Sequence, residues 1–152
     1  MAELPKSAAE YHQRGDARLQ AEDYDGAIAD FTTYLGTENP YPAIYNNRGV
    51  AYQAKGQFDL AIADFDEAIR RDPTIADFFT NRGRVRLLQG DLDRALLDAN
   101  AAIQLNPQFM LAYLLRSEVR TARKEYDAAI EDANAAIQID PNHAVAYNNR
   151  GV

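Results

Sequence analysis

Repeated carboxylates are the residues of this sequence that come nearest to a chemical site. Two columns of aspartates recur every 34 residues, one from Asp25 to Asp127 and the other from Asp30 to Asp132. Paired carboxylates can act as general acid and base or hold a metal ion. Because both columns return in every repeat, a structural role is the more economical interpretation. The second column would then accept hydrogen bonds from repeated arginines. Its members are Asp30, Asp64, Asp98 and Asp132, and the arginines include Arg48, Arg82, Arg116 and Arg150.

Other chemically capable residues are few and isolated. The chain has no cysteine, which excludes disulfides, thiolate chemistry and cysteine-based metal centres. Its two histidines, His12 and His143, belong to the first and last repeats and lie too far apart to share a ligand. Ser7 and Ser117 have no neighbouring base at motif level, and there is no glycine-rich phosphate loop. We therefore expect no catalytic residue, no metal site and no cofactor, and predict that the protein is not an enzyme.

Size and charge restrict the class further. The 152 residues, of which 47% are hydrophobic and 26% charged, fit a folded domain of ordinary size. The net charge of -7 disfavours nucleic acid as a partner. The longest apolar run, 109–115, is too short to cross a membrane, and the opening MAELPKSAAE lacks the apolar stretch of a secretory signal. We expect a cytoplasmic protein without membrane insertion.

The sequence is built on an internal repeat. Residues 45–50, with the sequence YNNRGV, return unchanged at 147–152, a separation of three times 34 residues. A small residue follows an arginine at the same spacing throughout, at Gly15, Gly49, Gly83, Ser117 and Gly151. This period predicts an N-terminal extension, 1–7, and a repeat domain, 8–152. The repeats span 8–41, 42–75, 76–109 and 110–143, with a partial fifth repeat at 144–152.

Each repeat has the pattern of two helices joined by a short turn. In the second repeat, the helical spacing of apolar residues is interrupted at residues 55–57, and Asp59 then opens a second helical pattern. Gly56 and Gly90 suit the left-handed residue that follows a helix, since glycine has no Cβ to clash there. The result is a hairpin of two helices.

Recurring residues also mark where each second helix begins and ends. The aspartate column that starts at Asp25 is expected to cap the first turn of each second helix and to interact with its dipole. Pro73, Pro107 and Pro141 are expected to end these helices, because proline disfavours helical conformation in the preceding residue. The sequence thus predicts an all-α stack of helical hairpins without strands.

The repeat resembles the tetratricopeptide repeat family, whose unit has this length and a signature of aromatic and small residues at fixed phases. The second repeat carries the signature at Tyr45, Gly49, Tyr52, Ala61, Phe65, Ala68 and Pro73. Departures occur elsewhere: an arginine replaces the tyrosine of the first helix at Arg18, Arg86 and Arg120, and an alanine replaces the phenylalanine at Ala99 and Ala133. The resemblance implies a right-handed superhelical solenoid of four full helix-turn-helix repeats and the first helix of a fifth.

The resemblance also implies a concave groove lined by the first helices. Just before the arginine of each repeat stand Gln13, Asn47, Asn81, Leu115 and Asn149. An asparagine can donate to and accept from the backbone of an extended peptide, so this row is a candidate ligand surface. The alternative is that these amides cap neighbouring turns or bind water.

Two neighbouring phases map to the same wall and add further candidates. The first phase contributes His12, Asn46, Thr80, Leu114 and Asn148, and the second contributes Asp16, Val50, Arg84 and Glu118. An apolar pocket beside Arg84, for a hydrophobic anchor of the partner, would be formed by Leu111, Leu114 and Leu115 with Leu87 and Leu88 of the preceding repeat. The alternative, equally favoured by the helical spacing, is that some of these leucines belong to the core.

The sequence predicts a protein-interaction scaffold that holds a peptide or a helix of a partner protein in its groove. The alternatives are an assembly module that self-associates through its repeat ends, including a homodimer through the C-terminal end, and a regulatory module of a larger protein. Residues 143–152 are expected to form a helix that buries Ala146, Tyr147 and Arg150 against the fourth repeat and leaves its other flank open.

Overall fold

The computed structural model describes residues 7–142, and within that range the chain forms eight α-helices and no strand. The helices are α1 (Ala8–Gln20), α2 (Tyr24–Leu35), α3 (Pro42–Ala54), α4 (Phe58–Arg71), α5 (Ala76–Leu88), α6 (Leu92–Leu105), α7 (Met110–Ala122) and α8 (Tyr126–Ile139). Consecutive helices pack as four hairpins, α1–α2, α3–α4, α5–α6 and α7–α8. The predicted all-α fold of helical hairpins is therefore confirmed.

The hairpins form two compact units, divided between Pro73 and Thr74. Unit 1 contains α1 to α4, and its second hairpin packs on the first mainly through α2 and α3. Unit 2 contains α5 to α8, and its second hairpin packs on the first through α6 and α7, with further contact between α5 and α7. Within each unit, the first helix of the later hairpin thus covers the second helix of the earlier one.

The turn between the two helices of each hairpin uses the left-handed backbone region. Gly56 has φ of 71° and Gly90 has φ of 79°, which confirms the prediction for these two glycines. The same phase is occupied by Glu22 (φ 61°) and Lys124 (φ 63°) in the first and fourth hairpins. Two side-chain-bearing residues therefore sit in a conformation that disfavours a Cβ.

The caps of the second helices lie two residues earlier than predicted. The N-cap of α2 is Asp23, whose Oδ1 accepts from the Gly26 N–H at 3.0 Å, and the N-cap of α6 is Asp91. Asp25 and Asp93 lie inside the first turn, where a carboxylate still interacts favourably with the helix dipole. At α2 and α6 the prediction misplaced the cap because two aspartates stand two positions apart at the start, and sequence alone did not distinguish them. At α4 and α8 the N-cap residues are Gln57 and Glu125, and neither makes a side-chain cap hydrogen bond.

The ends of the second helices follow the prolines as predicted. The helices α4, α6 and α8 end one residue before the Asp or Asn that precedes Pro73, Pro107 and Pro141, respectively. Each of those residues, Asp72, Asn106 and Asp140, has extended backbone. That conformation is the one that a following proline favours.

A buried aspartate on each second helix is bound by the arginine of the first helix in the same hairpin, 16 residues earlier. The aspartates are between 2% and 6% exposed. The pairs and their Nη2–Oδ1 distances are Arg14–Asp30 (2.6 Å), Arg48–Asp64 (2.7 Å), Arg82–Asp98 (2.6 Å) and Arg116–Asp132 (2.7 Å). Each arginine also donates through Nε, so the contact is bidentate. The structural interpretation of this aspartate column is confirmed.

The arginines that depart from the family signature bind the same carboxylates. In three hairpins, Nη1 of the second arginine donates to the other aspartate oxygen: Arg18 to Asp30 (2.9 Å), Arg86 to Asp98 (2.8 Å) and Arg120 to Asp132 (2.8 Å). The second hairpin has Tyr52 at this phase, and there the guanidinium of Arg48 lies over the Tyr52 ring, 5.8 Å from its centroid. Hydrogen bonds to Asp64 raise the pKa of Arg48, against the opposing effect of its burial.

The small residue after each arginine allows the two helices of a hairpin to approach closely. A Cβ on Gly49 would lie 2.7 Å from the ring of Phe65, so a larger residue would clash. In the fourth hairpin the phenylalanine is replaced by Ala133, and the small residue is Ser117. The Ser117 hydroxyl donates to the Ala129 carbonyl at 2.8 Å, which satisfies it in the core.

Replacing Asp98 by Ala should lower the free energy of unfolding by about 3 kcal/mol, because Arg82 and Arg86 would lose the buried carboxylate that they share. Chemical denaturation followed by circular dichroism measures this loss. The matched control is Asp93→Ala on the same helix, where the carboxylate is 90% exposed and paired with Arg123. That control should cost less than about 1 kcal/mol. Equal losses in the two variants would contradict the account.

Replacing Lys124 by Gly should raise the free energy of unfolding by about 0.5–1 kcal/mol, because glycine adopts a positive φ without a steric penalty. The reverse change, Gly90→Ala, should lower it by a similar amount although nothing crowds the position. Thermal melting of both variants beside the unchanged chain gives the comparison, and a stabilised Gly90→Ala would refute the argument.

Candidate functional site

The predicted row on the first helices lies in a polar network in unit 1. The Asn47 side-chain amide on α3 donates to Oδ1 of Asp16 on α1 at 2.9 Å. The other oxygen of Asp16 lies 3.0 Å from Nε2 of His12, one helical turn earlier on α1. Asn47 is half-buried, and its amide oxygen lies 3.5 Å from the Asn46 side-chain nitrogen. The two first helices of unit 1 are thus joined by a hydrogen-bonded asparagine.

Aromatic residues border this network. The His12 ring lies 5.7 Å from the ring of Tyr34, which is buried, and Tyr34 stacks on Tyr41 at 6.3 Å between centroids. Tyr41 precedes α3 and is 65% exposed. Polar groups of His12, Asp16 and Asn47 therefore lie next to an aromatic pair with one exposed member.

The corresponding row in unit 2 is charged. Arg84 on α5 pairs with Glu118 on α7, with Nη1 and Oε2 3.0 Å apart and both side chains about one-third exposed. Asn81 is half-buried and its amide donates to Asp77 at 3.2 Å, one turn earlier on α5. Thr80 is buried and donates to the Ala76 carbonyl at 3.1 Å. The two first helices of unit 2 are thus joined by the ion pair between Arg84 and Glu118, whereas those of unit 1 are joined by the hydrogen bond of Asn47.

Two of the leucines predicted to form a pocket, Leu114 and Leu115, belong to the core. Leu114 is 1% exposed and packs with Ala136, while Leu115 is fully buried with Ala99 and Val119. A Cβ on Gly83 would lie 2.7 Å from Leu115, so this side chain fills the space that a glycine leaves open. Leu114 and Leu115 therefore cannot line a pocket, because α7 turns both toward neighbouring helices, and for these two the core alternative holds. Of the other three leucines of the predicted pocket, Leu88 and Leu111 are exposed and Leu87 is half-buried.

The remaining predicted residues differ in accessibility. Gln13 is exposed on α1, whereas Asn46 on α3 is buried, with 6% of its surface exposed. Asn149 lies outside the described residues, as does the predicted helix at 143–152. The accessible members of the row are therefore Gln13 and Asn47 in unit 1 and Asn81 and Arg84 in unit 2.

Sequence reasoning placed Asp16 and Glu118 on the same wall but did not identify them as the contact partners of Asn47 and Arg84. Glu118 is 34 residues after Arg84, so the two have the same phase in consecutive repeats. Opposite charges at one phase are a signal of contact between successive first helices. Asp16 lies 31 residues before Asn47, one helical turn away from the same phase. Both signals were present in the sequence.

Residues 7–142 contain no cluster of three histidine, aspartate or glutamate side chains placed to hold a metal ion. None of the eight helices has the length and apolar character that crossing a membrane requires. An open depression at the turns of unit 2 is lined by Gly90, Asp91, Leu92, Asp93, Arg123 and Glu125. Within it, Arg123 pairs with both Asp93 and Glu125.

Family comparison identifies the repeat. Models described as tetratricopeptide repeat match residues 42–75 and 80–144. The chain therefore belongs to the tetratricopeptide repeat family. A comparison with curated proteins found no match.

Solved structures of similar fold agree with this assignment. MamA has a TM-score of 0.77 and 26% identity, with 89% of this chain and 79% of that chain covered. YrrB has a TM-score of 0.80 and 22% identity, covering 96% and 75% of the two chains. The TPR2B domain of yeast Sti1 has a TM-score of 0.68 and 27% identity, covering 72% and 90%.

Replacing Arg84 by Glu should destabilise unit 2 by roughly 0.5–1 kcal/mol at low salt, because two carboxylates would then face each other at the Glu118 contact. Raising the salt concentration should recover most of the loss, since repulsion between partly exposed charges is screened. Arg84→Gln is the control, and its smaller loss should depend little on salt. Denaturation curves at two salt concentrations test this, and an effect of Arg84→Glu that is insensitive to salt would count against the contact.

Proposed function

We propose that this protein is a protein-interaction scaffold that binds an extended peptide of a partner on the first-helix face of unit 1. The binding residues are Gln13 and Asn47, and the same unit carries the exposed ring of Tyr41. The proposal concerns binding alone and assigns no reaction to the protein.

The observation that carries the proposal is the state of Asn47. Its amide nitrogen is held by Asp16 from the adjacent helix, so the side chain is fixed while still partly exposed. An amide nitrogen has two N–H donors, of which the contact with Asp16 uses one. A fixed donor loses little conformational entropy when it meets a peptide carbonyl, and it therefore binds more tightly than a mobile one.

Aromatic and polar groups on the same unit suit a peptide. Tyr41 offers an exposed ring for an apolar side chain, and Gln13 offers an exposed amide. Backbone hydrogen bonds give such contacts affinity whatever the peptide sequence, whereas side-chain contacts give them specificity. The face of unit 1 combines both kinds of contact.

Similar solved structures support peptide binding as the function. The Sti1 TPR2B domain was solved in a complex with pHsp70, and YrrB is described as having an unusual peptide-binding site. The first TPR domain of Spaghetti (RPAP3), at 24% identity, was solved with the HSP90 peptide SRMEEVD. These partners belong to those proteins, and the ligand of this chain is a question for selection experiments.

Unit 2 has less free capacity for a ligand. Arg84 is paired with Glu118, so an acidic peptide group must compete with a carboxylate already in contact. Asn81 donates to Asp77 on its own helix. We therefore assign the main contribution to unit 1.

Peptides selected from a random display library against the full chain provide the test. Replacing Asn47 by Ala should weaken the binding of a selected synthetic peptide by about 0.5–1.5 kcal/mol, the typical net value of one hydrogen bond. Isothermal titration calorimetry measures the affinity, and thermal melting of the same samples measures stability. The control is Gln104→Ala, which removes an exposed amide from the second helix α6.

The affinities and melting temperatures together decide between the interpretations. Binding weakened by Asn47→Ala and unchanged by Gln104→Ala supports the proposal. A lower melting temperature for Asn47→Ala with unchanged affinity would instead assign Asn47 a structural role, in which it only joins α1 to α3.

A further inference from the structure

The carboxylate of Asp16 lies at the centre of the polar network of unit 1, and its side chain is 39% exposed. Within residues 7–142 its contacts are with the Asn47 amide, which is neutral, and with Nε2 of His12, which is charged only when protonated. No lysine or arginine in that range lies within ion-pair distance of it. The network therefore contains a partly exposed carboxylate without a permanently charged cationic partner.

The same repeat phase in unit 2 shows an acidic residue that does have such a partner. Glu118 of α7 has the phase of Asp16, and it pairs with Arg84 of α5 at 3.0 Å. In unit 1 the other residue at this phase is Val50 of α3, and an apolar side chain cannot neutralise a carboxylate. Unit 2 thus supplies both members of a charge pair, whereas unit 1 supplies only the acidic member.

The arginines of the first helices in unit 1 are committed to buried aspartates of their own hairpins. They are Arg14 and Arg18, which bind Asp30, and Arg48, which binds Asp64. Releasing one of these arginines would remove a donor from a buried carboxylate, which is destabilising. A cation for Asp16 must therefore come from a ligand rather than from these helices.

The oxygens of Asp16 can accept further hydrogen bonds. A carboxylate has about four acceptor positions, and the contacts with Asn47 and His12 use one on each oxygen. One position on each oxygen remains, and a guanidinium forms two parallel hydrogen bonds to a carboxylate in this way. On the basis of the peptide binding proposed above, we propose that Asp16 binds an arginine side chain of the partner peptide and so selects peptides that contain one.

The position of this arginine in the peptide follows from the contact between Asp16 and Asn47. Their side chains are joined at 2.9 Å, and an extended peptide advances by about 3.3 Å per residue. The arginine is therefore the residue whose carbonyl Asn47 binds, or its neighbour. Lysine should serve less well, because its ammonium is a point charge that lacks the planar fork of a guanidinium.

Peptides selected from a random display library against the full chain test the preference, at about pH 8, since imidazoles ordinarily change charge between about pH 5 and 8. Arginine should be enriched among them. In calorimetry, replacing the arginine of a selected synthetic peptide by citrulline, which is neutral and similar in shape, should weaken binding about five-fold. Selected peptides in which arginine is no more frequent than in the library would overturn the inference.

A change in the protein identifies Asp16 as the partner of that arginine. Asp16→Asn keeps an oxygen for the Asn47 amide but removes the charge, so it should weaken binding of the arginine peptide about five-fold. Citrulline should then cause no further loss, because the interaction is already removed. Losses that add in the double change would overturn the assignment.

The control for overall charge is Glu131→Gln, which removes an exposed carboxylate from α8. The chain has a net charge of -7, so a general attraction for cations would be weakened equally by this variant and by Asp16→Asn. Equal weakening would therefore overturn the proposal, whereas unchanged binding by Glu131→Gln supports it. Binding that is weakened by Asn47→Ala but not by Asp16→Asn would overturn the arginine preference and leave the proposed peptide binding intact.

Discussion

The bidentate contact between an arginine of each first helix and a buried aspartate of the second is the interaction on which the described hairpins depend. Each carboxylate is almost completely removed from water, so its burial is tolerated only while guanidinium groups donate to it. This requirement fixes the arginine, the aspartate and the small residue between the helices in every described repeat. The residue just before the arginine takes no part in this contact, and its type differs among the repeats. It is Gln13, Asn47, Asn81 or Leu115.

Much of the fold follows from periodicity because each structural device recurs. The arginine and aspartate columns, the left-handed glycines Gly56 and Gly90 and the terminating prolines were all visible as repeated residues. The binding of two arginines to one aspartate was not visible in the sequence. Arg86 stands out only as a departure from the family signature, whereas the structure shows that it shares Asp98 with Arg82. A column in a sequence identifies a residue that matters without identifying the atom that it contacts.

The candidate site was less predictable, because helical phase does not report what covers a side chain. Leu114 and Leu115 have the phases of groove residues, yet Leu114 packs with Ala136, and Leu115 packs with Ala99, where a phenylalanine is absent, and fills the space beside Gly83. Asn47 was recognised from its phase, whereas its contact with Asp16 depends on how α1 and α3 are offset. In unit 1, that contact leaves Asn47 fixed and partly exposed, the property on which the proposed function rests.

A structure of the full chain with a selected peptide tests the central claim most directly. The account predicts an extended peptide along α1 and α3, with a backbone carbonyl within hydrogen-bond distance of the Asn47 side-chain nitrogen and the contact to Asp16 retained. A peptide bound only to the second helices, with Asn47 unchanged and remote from it, would contradict the account.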